Sequence, residues 1–272
     1  MESSLTPVRP VKPVAPYIGG KRNLSRRLVE LISATPHALY AEPFVGMGGV
    51  FLRRDRRPSC EVINDWSSDV ANLFRVLQRH YLAFLDMLKF QLTTREAFER
   101  LQATDPDTLT DLERAARFLY LQRVAFGGKV DGRSFGMIYA GGARFDVTRL
   151  QVLLEEVHTR LASVTIERLH YGEFIRRYDR PGTLFFIDPP YWGNETDYGP
   201  GMFSRADFEL LRGLLEGLKG RFILTINDRP ETRAMFAGFA IEPVRLTYRI
   251  SGAATEGREL IIAGGCSATA AT

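Results

Sequence analysis

The sequence has few cysteines and no long apolar run, and both absences narrow the kind of protein that it encodes. Its 272 residues include only two cysteines, Cys60 and Cys266. Two cysteines cannot build a disulfide framework, and no cysteine–histidine spacing typical of a zinc site is present. No stretch of about 18 apolar residues occurs, so no transmembrane helix is expected. Residues 1–7 lack the apolar core of a signal peptide. We therefore expect a cytoplasmic protein that requires neither a membrane nor a metal.

Acidic residues are scarce in one part of the chain. The formal net charge is +4 and the pI is about 9.1, a mild excess that is compatible with nucleic acid but not diagnostic of it. Between positions 114 and 149 only Asp131 and Asp146 are acidic. The basic residues there are Arg114, Arg117, Arg123, Lys129, Arg133, Arg144 and Arg149. Such a cluster suits a phosphate backbone, and a solvated basic surface is the alternative.

Apolar periodicity predicts helices that alternate with strands. The predicted helices lie near 22–34, after Ser67 or Ser68, around 118–124, and near 147–161 and 207–218. The predicted strands lie near 38–41, 61–64, 163–168, 183–187 and 222–226, followed by a β-hairpin at 241–249 and 258–263. The proline-rich residues 1–16 are expected to form an extended arm, and the glycine-rich stretch 126–136 a loop. This alternation indicates an α/β fold with a mainly parallel sheet, whose ligands bind beyond the carboxyl ends of the strands.

The most informative motif is Asp-Pro-Pro-Tyr at 188–191, directly after the apolar run 183–187. An apolar run that ends in a polar residue and two prolines predicts a buried strand that stops abruptly. The prolines fix two backbone angles and remove two N–H donors, which leaves a stiff edge with free carbonyls. Asp188 and the Pro189 carbonyl can accept the two hydrogens of an amino group, and Tyr191 can stack on the ring that carries it. A strand end followed by a simple turn is the alternative.

A glycine-rich turn at 42–49 follows the strand predicted at 38–41 and opens a helix. Its glycines let the backbone approach a ligand closely. Asp65 ends the next strand, nineteen positions after Gly46, where an acidic residue binds ribose hydroxyls in dinucleotide-binding folds. Phe51 stands where the dinucleotide fingerprint needs its third glycine, so a nucleoside without phosphates is favoured over a pyrophosphate ligand. A turn without a ligand is the alternative, both here and for the second glycine turn at 17–21.

The order and spacing of the 17–21 turn, the 42–49 turn, Asp65, the basic segment and the 188–191 motif resemble the Dam-like family of DNA adenine methyltransferases. The resemblance runs from about residue 15 to about residue 263. It implies a Rossmann-like, S-adenosylmethionine-dependent methyltransferase sheet with an inserted, mainly helical DNA-recognition domain. The methyltransferase domain would comprise residues 1–79 and 146–272, and the target-recognition insert residues 80–145.

The resemblance also implies an activity and residue roles. The protein would be a site-specific, adenine-specific DNA methyltransferase that transfers a methyl group from S-adenosylmethionine to the exocyclic 6-amino group of an adenine flipped out of double-stranded DNA. The implied catalytic residues are Asp188, Pro189 and Tyr191. The implied cofactor-binding residues are Tyr17, Lys21, Phe44, Gly46, Asp65, Glu173, Phe174 and Asp188. The implied DNA-binding residues are Arg123, Lys129 and Arg133. A monomer is expected.

Other acceptors and other classes of protein fit parts of this pattern. A cytosine amino group or a protein glutamine could occupy the same pocket, but the resemblance places Ser or Asn more often than Asp at position 188 for those acceptors. RNA adenine is an alternative that the basic segment makes less favoured than duplex DNA. A non-catalytic DNA-binding protein would not need Asp65 and Asp188, and Phe51 disfavours a dinucleotide oxidoreductase. The four histidines form no catalytic grouping and are expected to be surface or packing residues: His37, His80, His158 and His170.

Overall fold

The computed structural model describes residues 5–136, 144–199, 201–250 and 253–265. The helices are α1 (Ser25–Ala34), α2 (Ser68–Arg79), α3 (Tyr81–Leu88), α4 (Arg95–Ala103), α5 (Asp111–Val124), α6 (Val147–Leu161), α7 (Tyr171–Tyr178), α8 (Arg205–Glu216) and α9 (Pro230–Met235). The strands are β1 (Thr6–Pro7), β2 (Leu39–Glu42), β3 (Arg56–Arg57), β4 (Cys60–Asn64), β5 (Thr165–Glu167), β6 (Thr183–Ile187), β7 (Arg221–Asn227), β8 (Ala240–Ile250) and β9 (Ala253–Gly265). Of the helices in these ranges, none combines the length and apolarity needed to span a bilayer.

A seven-stranded sheet forms the centre of the fold, in the order β5-β4-β2-β6-β7-β9-β8. The first five strands pair in parallel, and β9 runs antiparallel to both β7 and β8. The predicted α/β fold with a Rossmann-like, mainly parallel sheet is therefore confirmed, and so is the hairpin at its end. That hairpin is longer than predicted, because the pairing of β8 with β9 continues to Ile250 and Ala253.

Apolar residues pack on both faces of the sheet, and strand β6 contributes side chains to both faces. Its five residues are all buried. Leu184 and Phe186 contribute to the hydrophobic cluster that includes α1, α2, α5 and α6, whereas Phe185 and Ile187 contribute to the cluster that includes α7 and α8. Successive side chains of a strand point to opposite faces. A strand that is covered on both faces therefore has an unbroken apolar run in its sequence.

The described part of the chain between α2 and α6 contains helices α3, α4 and α5, and only α5 was predictable from periodicity. This helix packs against α2, and its buried residues Phe118, Leu119 and Leu121 belong to the cluster that also includes α1 and α2. Helices α3 and α4 are short and lie beside α5. The helices of this region therefore share a hydrophobic core with one face of the sheet. Beyond α5, the glycine-rich stretch forms a loop, as predicted, with a 3₁₀ turn at Phe126–Gly128.

The amino-terminal arm is extended, as predicted, but it is packed onto the domain. Strand β1 pairs with β3, and the Val11 N–H donates to the Leu52 carbonyl at 2.7 Å. Val11, Val14 and Ala15 are buried in the first hydrophobic cluster. The arm therefore brings the 17–21 turn back onto the sheet.

Candidate active site

The strand order reverses between β2 and β6, which lie side by side. From β2 the chain proceeds to β4 and β5 on one side of the sheet, and from β6 it proceeds to β7 on the other. Connections that leave neighbouring strands in opposite directions open a crevice at their carboxyl ends. The 42–49 turn follows β2 and the 188–191 motif follows β6. The two main motifs of the sequence therefore meet in one crevice.

A cavity of about 660 Å³ opens at this crevice, which is within the usual size of a small-molecule site. The predicted cofactor-binding residues that line it are Tyr17, Lys21, Phe44, Gly46, Asp65 and Asp188. Pro190 also lines the cavity. The structure thus brings together residues from the 17–21 turn, the ends of three neighbouring strands and the Asp-Pro-Pro-Tyr motif.

Asp188 is held by the adjacent strand and by a lysine. Thr225 of β7 donates its hydroxyl to Asp188 Oδ1 at 2.8 Å, and Lys21 Nζ lies 2.6 Å from the same oxygen. Burial raises the pKa of Asp188, whereas the charge and hydrogen bond of Lys21 and the hydrogen bond from Thr225 lower it. The side-chain position and the charge of Asp188 therefore both depend on Lys21.

Lys21 connects the 17–21 turn to both ends of the 188–191 motif. Besides Asp188, its ammonium donates to the Tyr191 hydroxyl at 2.8 Å and to the Gly19 carbonyl at 3.1 Å. It also lies 4.5 Å from the centre of the Tyr191 ring. An ammonium has three donors, so these three acceptors use all of them. The Lys21 side chain is 3% exposed, and its charge is therefore directed into the crevice.

The segment after Tyr191 is fixed to the end of β7. The Trp192 N–H donates to Asn227 Oδ1 at 3.0 Å, and Asn227 Nδ2 donates to the Trp192 carbonyl at 2.9 Å. Pro189 and Pro190 are buried. The motif is therefore held at Asp188 by Thr225 and just beyond Tyr191 by Asn227, which gives the crevice a rigid edge.

Asp65 fastens the 42–49 turn to the end of β4. The Gly46 N–H donates to Asp65 Oδ2 and the Ser67 N–H donates to Oδ1, each at 2.9 Å. Burial raises the pKa of Asp65 to about 6, although both hydrogen bonds lower it. A carboxylate oxygen has two lone pairs, so each oxygen can accept a further hydrogen bond from a ligand hydroxyl.

Gly46 is required by both its backbone and its surroundings. Its φ of 49° lies in the left-handed region, and a Cβ at this position would lie 3.0 Å from the Tyr17 ring. Glycine therefore lets Tyr17 pack directly against the turn. Tyr17 in turn packs against Tyr198, with ring centres 5.8 Å apart.

Glu42 is a third carboxyl group in the cavity, and no role for it was predicted from the sequence. It ends β2, is 2% exposed, and accepts a hydrogen bond from the Tyr40 hydroxyl at 2.6 Å. Burial raises the pKa of Glu42 to about 8; the Tyr40 hydrogen bond lowers it and the nearby Asp188 raises it. Its place directly before the glycine turn was the only signal in the sequence.

Two predicted cofactor contacts, Glu173 and Phe174, lie outside the cavity wall. Glu173 is exposed and pairs with Arg177 at 2.8 Å. Phe174 is fully buried in the second hydrophobic cluster, with its ring 4.9 Å from that of Tyr178. Both belong to the body of α7, whereas only the start of this helix faces the cavity.

His170 and Tyr171, at the start of α7, line the cavity instead. The Tyr171 ring lies 5.2 Å from that of Phe44, and the His170 ring lies 5.7 Å from that of Trp66 in an edge-on arrangement. His170 is thus a partly exposed packing residue, as expected, but it packs within the cavity wall. Trp66, which also lines the cavity, is a residue that sequence reasoning missed. Its position next to Asp65 was the available signal.

Of the three predicted DNA-binding residues, only Lys129 is exposed. Arg123 donates from Nη1 to the Val14 carbonyl at 2.6 Å and lines the cavity. Arg133 donates to the Lys129 carbonyl at 3.1 Å. Burial lowers the pKa of Arg123 and of Arg133. Both arginines thus stabilise the packing of the arm and the 126–136 loop, which the charge pattern alone could not reveal.

The fold is Rossmann-like, and its crevice lies at the carboxyl ends of the central parallel strands. Comparison with known proteins identifies the family. The model of the D12 class N6 adenine-specific DNA methyltransferases matches residues 17–250, which is most of the chain. This chain therefore belongs to that family.

Individual relatives are distant in sequence. The chain is 22% identical over 241 residues to the Type II methyltransferase M.CviBI of Paramecium bursaria Chlorella virus NC1A, a match that covers 88% of this chain and 92% of that protein. It is 26% identical over 266 residues to the Type II methyltransferase M1.LlaDCHI of Lactococcus lactis subsp. cremoris, covering 91% and 92%. It is 27% identical over 266 residues to the DNA N-6-adenine-methyltransferase of Escherichia phage P1, covering 89% of this chain and 34% of that protein.

Proposed function

We propose that this chain transfers a methyl group from S-adenosylmethionine to the exocyclic 6-amino group of an adenine in a specific sequence of duplex DNA. The observation that carries the proposal is that Asp188, the glycine turn and Asp65 line a single cavity. Lys21 also links Asp188 to Tyr191, which lies just outside the cavity lining. Asp188 and Tyr191 suit an amino-bearing ring, and the turn with Asp65 suits a nucleoside. A site with both features can align an amino acceptor with a nucleoside-borne donor.

The residues of the cavity fit S-adenosylmethionine. Asp65 would accept hydrogen bonds from the ribose hydroxyls, and Gly46 would let the backbone approach the ligand. The adenine of the cofactor would pack among the rings at the start of α7 and nearby, in place of the contacts expected from Glu173 and Phe174. These rings belong to Phe44, Trp66, His170 and Tyr171.

The charge of the cavity also suits this cofactor. Glu42, Asp65 and Asp188 line one cavity, and their mutual repulsion contributes to the raised pKa of Glu42. A cationic ligand relieves such repulsion. When bound, the sulfonium cofactor supplies an electrophilic methyl group.

Asp188 would act on the target adenine by accepting a hydrogen bond from its amino group, and the Pro189 carbonyl would accept the second. These contacts orient the nitrogen lone pair toward the methyl donor, so that alignment of the reactants is the main catalytic device. The Asp188 carboxylate also stabilises positive charge that develops on the nitrogen. Lys21, which donates to Asp188 in this structure, would keep the carboxylate ionised.

The target base must leave the DNA helix before it can reach Asp188. Flipping a base out of the stack costs a few kcal/mol, and stacking on an aromatic ring recovers about 1–3 kcal/mol. Tyr191 would supply that ring. The exposed Lys129 in the 126–136 loop would contact a DNA phosphate, and we propose that the enzyme acts as a monomer.

Transfer of a labelled methyl group from S-adenosylmethionine to unmethylated duplex DNA tests this proposal, with the modified nucleosides identified by mass spectrometry. We expect N6-methyladenine as the product. In Asp188→Asn, the rate should fall about 100-fold or more because the charge is lost. Transfer to RNA, to cytosine or to protein instead of DNA adenine would refute the proposal.

The stacking role of Tyr191 predicts a fluorescence change. A duplex with 2-aminopurine at the target position should brighten when the wild-type enzyme extrudes the base. The Tyr191→Ala variant should give a weaker signal and a lower rate, since stacking no longer stabilises the extruded base. An unchanged signal in the variant would argue against this role.

A further inference from the structure

A group of cations borders the cavity on the side formed by the amino-terminal segment and the turn after β2. Lys12 and Arg22 are exposed, and Arg53 is half-buried. All three line the same cavity as Asp188. Arg22 directly follows Lys21, whose ammonium contacts Asp188. The three cations therefore line the same cavity as the carboxylate, and two of them lie at its exposed surface.

The three charges are not neutralised by carboxylates within the described ranges, where none of them forms an ion pair. Other arginines in the same part of the chain are paired with acidic residues. These pairs are Arg9–Glu156, Arg26–Glu30, Arg27–Glu242 and Arg54–Glu61. The three cavity-lining cations thus differ from these neighbours in having no carboxylate partner among the described residues.

Arg53 is held in place by a neutral partner. Its Nη1 donates to the Gly49 carbonyl at 2.5 Å, which fixes the side chain but leaves its positive charge uncompensated. Burial, followed by the nearby charge of Arg22, lowers the pKa of Arg53, so the two guanidinium groups repel each other. A bound anion would relieve this repulsion.

We propose that Lys12, Arg22 and Arg53 form a phosphate-binding surface that holds the DNA backbone beside the extruded nucleotide. This inference rests on the proposed function. It places backbone contacts on the catalytic domain, in addition to those expected from the 126–136 loop. Two of the cations are exposed, and the three come from separate segments of the chain. Such a spread of charges suits an extended polyanion better than the single carboxylate of the cofactor.

The salt dependence of DNA binding tests the proposal without requiring catalysis. The logarithm of the affinity of a 30-base-pair duplex, measured by fluorescence anisotropy, falls linearly with the logarithm of salt concentration, with a slope of about −0.9 for each phosphate contacted. Arg22→Gln should make the slope shallower by about 0.9, and Arg22→Lys should restore it. The affinity for S-adenosylmethionine, measured by calorimetry, should not change. Arg53→Gln should act in the same way, with its fold checked by circular dichroism.

Arg26→Gln is the matched control, because Arg26 lies on α1 outside the cavity and pairs with Glu30 at 3.0 Å. Its slope should equal that of the wild type. An unchanged slope in Arg22→Gln and Arg53→Gln overturns the proposal. If the slope is unchanged but the affinity of these two variants for S-adenosylmethionine falls, the anion held by the cations is the cofactor carboxylate. If neither the slope nor that affinity changes, the cations are only solvated. A shallower slope in an enzyme that transfers no methyl group would refute the proposed function but support this surface.

Discussion

The protonation state of Asp188 depends on its neighbour Lys21. Asp188 is partly buried, which raises its pKa and favours its neutral form, and Lys21 lies 2.6 Å from its Oδ1, which favours the carboxylate. A protonated Asp188 would accept hydrogen bonds less well and would carry no charge to stabilise the methylated nitrogen. Activity should therefore depend on the balance between burial and Lys21.

Replacing Lys21 should shift the pH dependence of methyl transfer. In Lys21→Gln the pKa of Asp188 rises because the opposing charge is gone. The acid limb of the kcat/KM profile, measured between about pH 5 and pH 9, should then move upward by about 1 unit or more. Lys89→Gln, which removes an exposed lysine of the segment after α3, should leave the profile unchanged. A slower Lys21→Gln enzyme with an unshifted acid limb would show that Lys21 does not control the Asp188 charge.

The raised pKa of Glu42 predicts that the stability of the protein depends on pH. Its pKa rises from 4.5 to about 8 on folding, so between these values the folded state binds more protons than the unfolded state. The free energy of unfolding should consequently fall as pH rises through this window. Glu42→Gln retains an acceptor for Tyr40 and removes the titration, so its stability should vary less and should exceed that of the wild type near pH 8. Urea denaturation at several pH values measures both curves, and parallel curves would contradict the prediction.

At the scale of elements, a buried charge cluster joins α6 to β4 and to the segment after the glycine turn. Glu61 lies 2.7 Å from Arg54 Nη1 and 2.7 Å from Arg160 Nη1. All three side chains are at most 3% exposed. Arg54 stacks on Tyr40 at 3.8 Å, and Arg160 stacks on Phe51 at 4.1 Å. Since Tyr40 donates to Glu42, the cluster also supports one wall of the cavity.

Removing the central carboxylate should destabilise the protein strongly. Glu61→Gln leaves two buried guanidinium groups without a counter-charge, which costs about 3–5 kcal/mol. The exposed pair of Arg26 with Glu30 provides a control, because Glu30→Gln should cost less than about 1 kcal/mol. Chemical denaturation measures both free energies of unfolding. Equal and small losses would show that the cluster contributes no more than a surface ion pair.

Over the whole molecule, the sheet was predictable and the less periodic parts were not. Apolar runs such as 183–187 end at prolines or glycines, so strands and their ends are visible in the sequence. Helices α3 and α4 were missed because they are short and are stabilised by packing against α5. The packing of the arm was not predictable, because its proline-rich composition hides the burial of Val11 and Val14.

Site residues that stand directly at strand ends were predictable from the sequence. Site residues that only the packing of distant segments brings to the cavity were not. Asp188 and Asp65 stand at strand ends, and their positions in the crevice follow from a parallel sheet. Trp66 and His170 reach the cavity because Asn64, at the end of β4, is hydrogen-bonded to Leu169, just before α7. The burial of Arg123 and Arg133, like the orientation of Glu173 away from the cavity, depends on packing that charge and spacing do not specify.

The most direct test of this account is the base composition of DNA from a bacterial host that lacks adenine methylation. Plasmid DNA should be isolated after expression of the wild-type chain or of Asp188→Asn, and its nucleosides quantified by mass spectrometry. The account predicts N6-methyladenine with the wild-type chain and almost none with the variant at equal protein levels. Methylcytosine, or methyladenine that persists in Asp188→Asn, would contradict it.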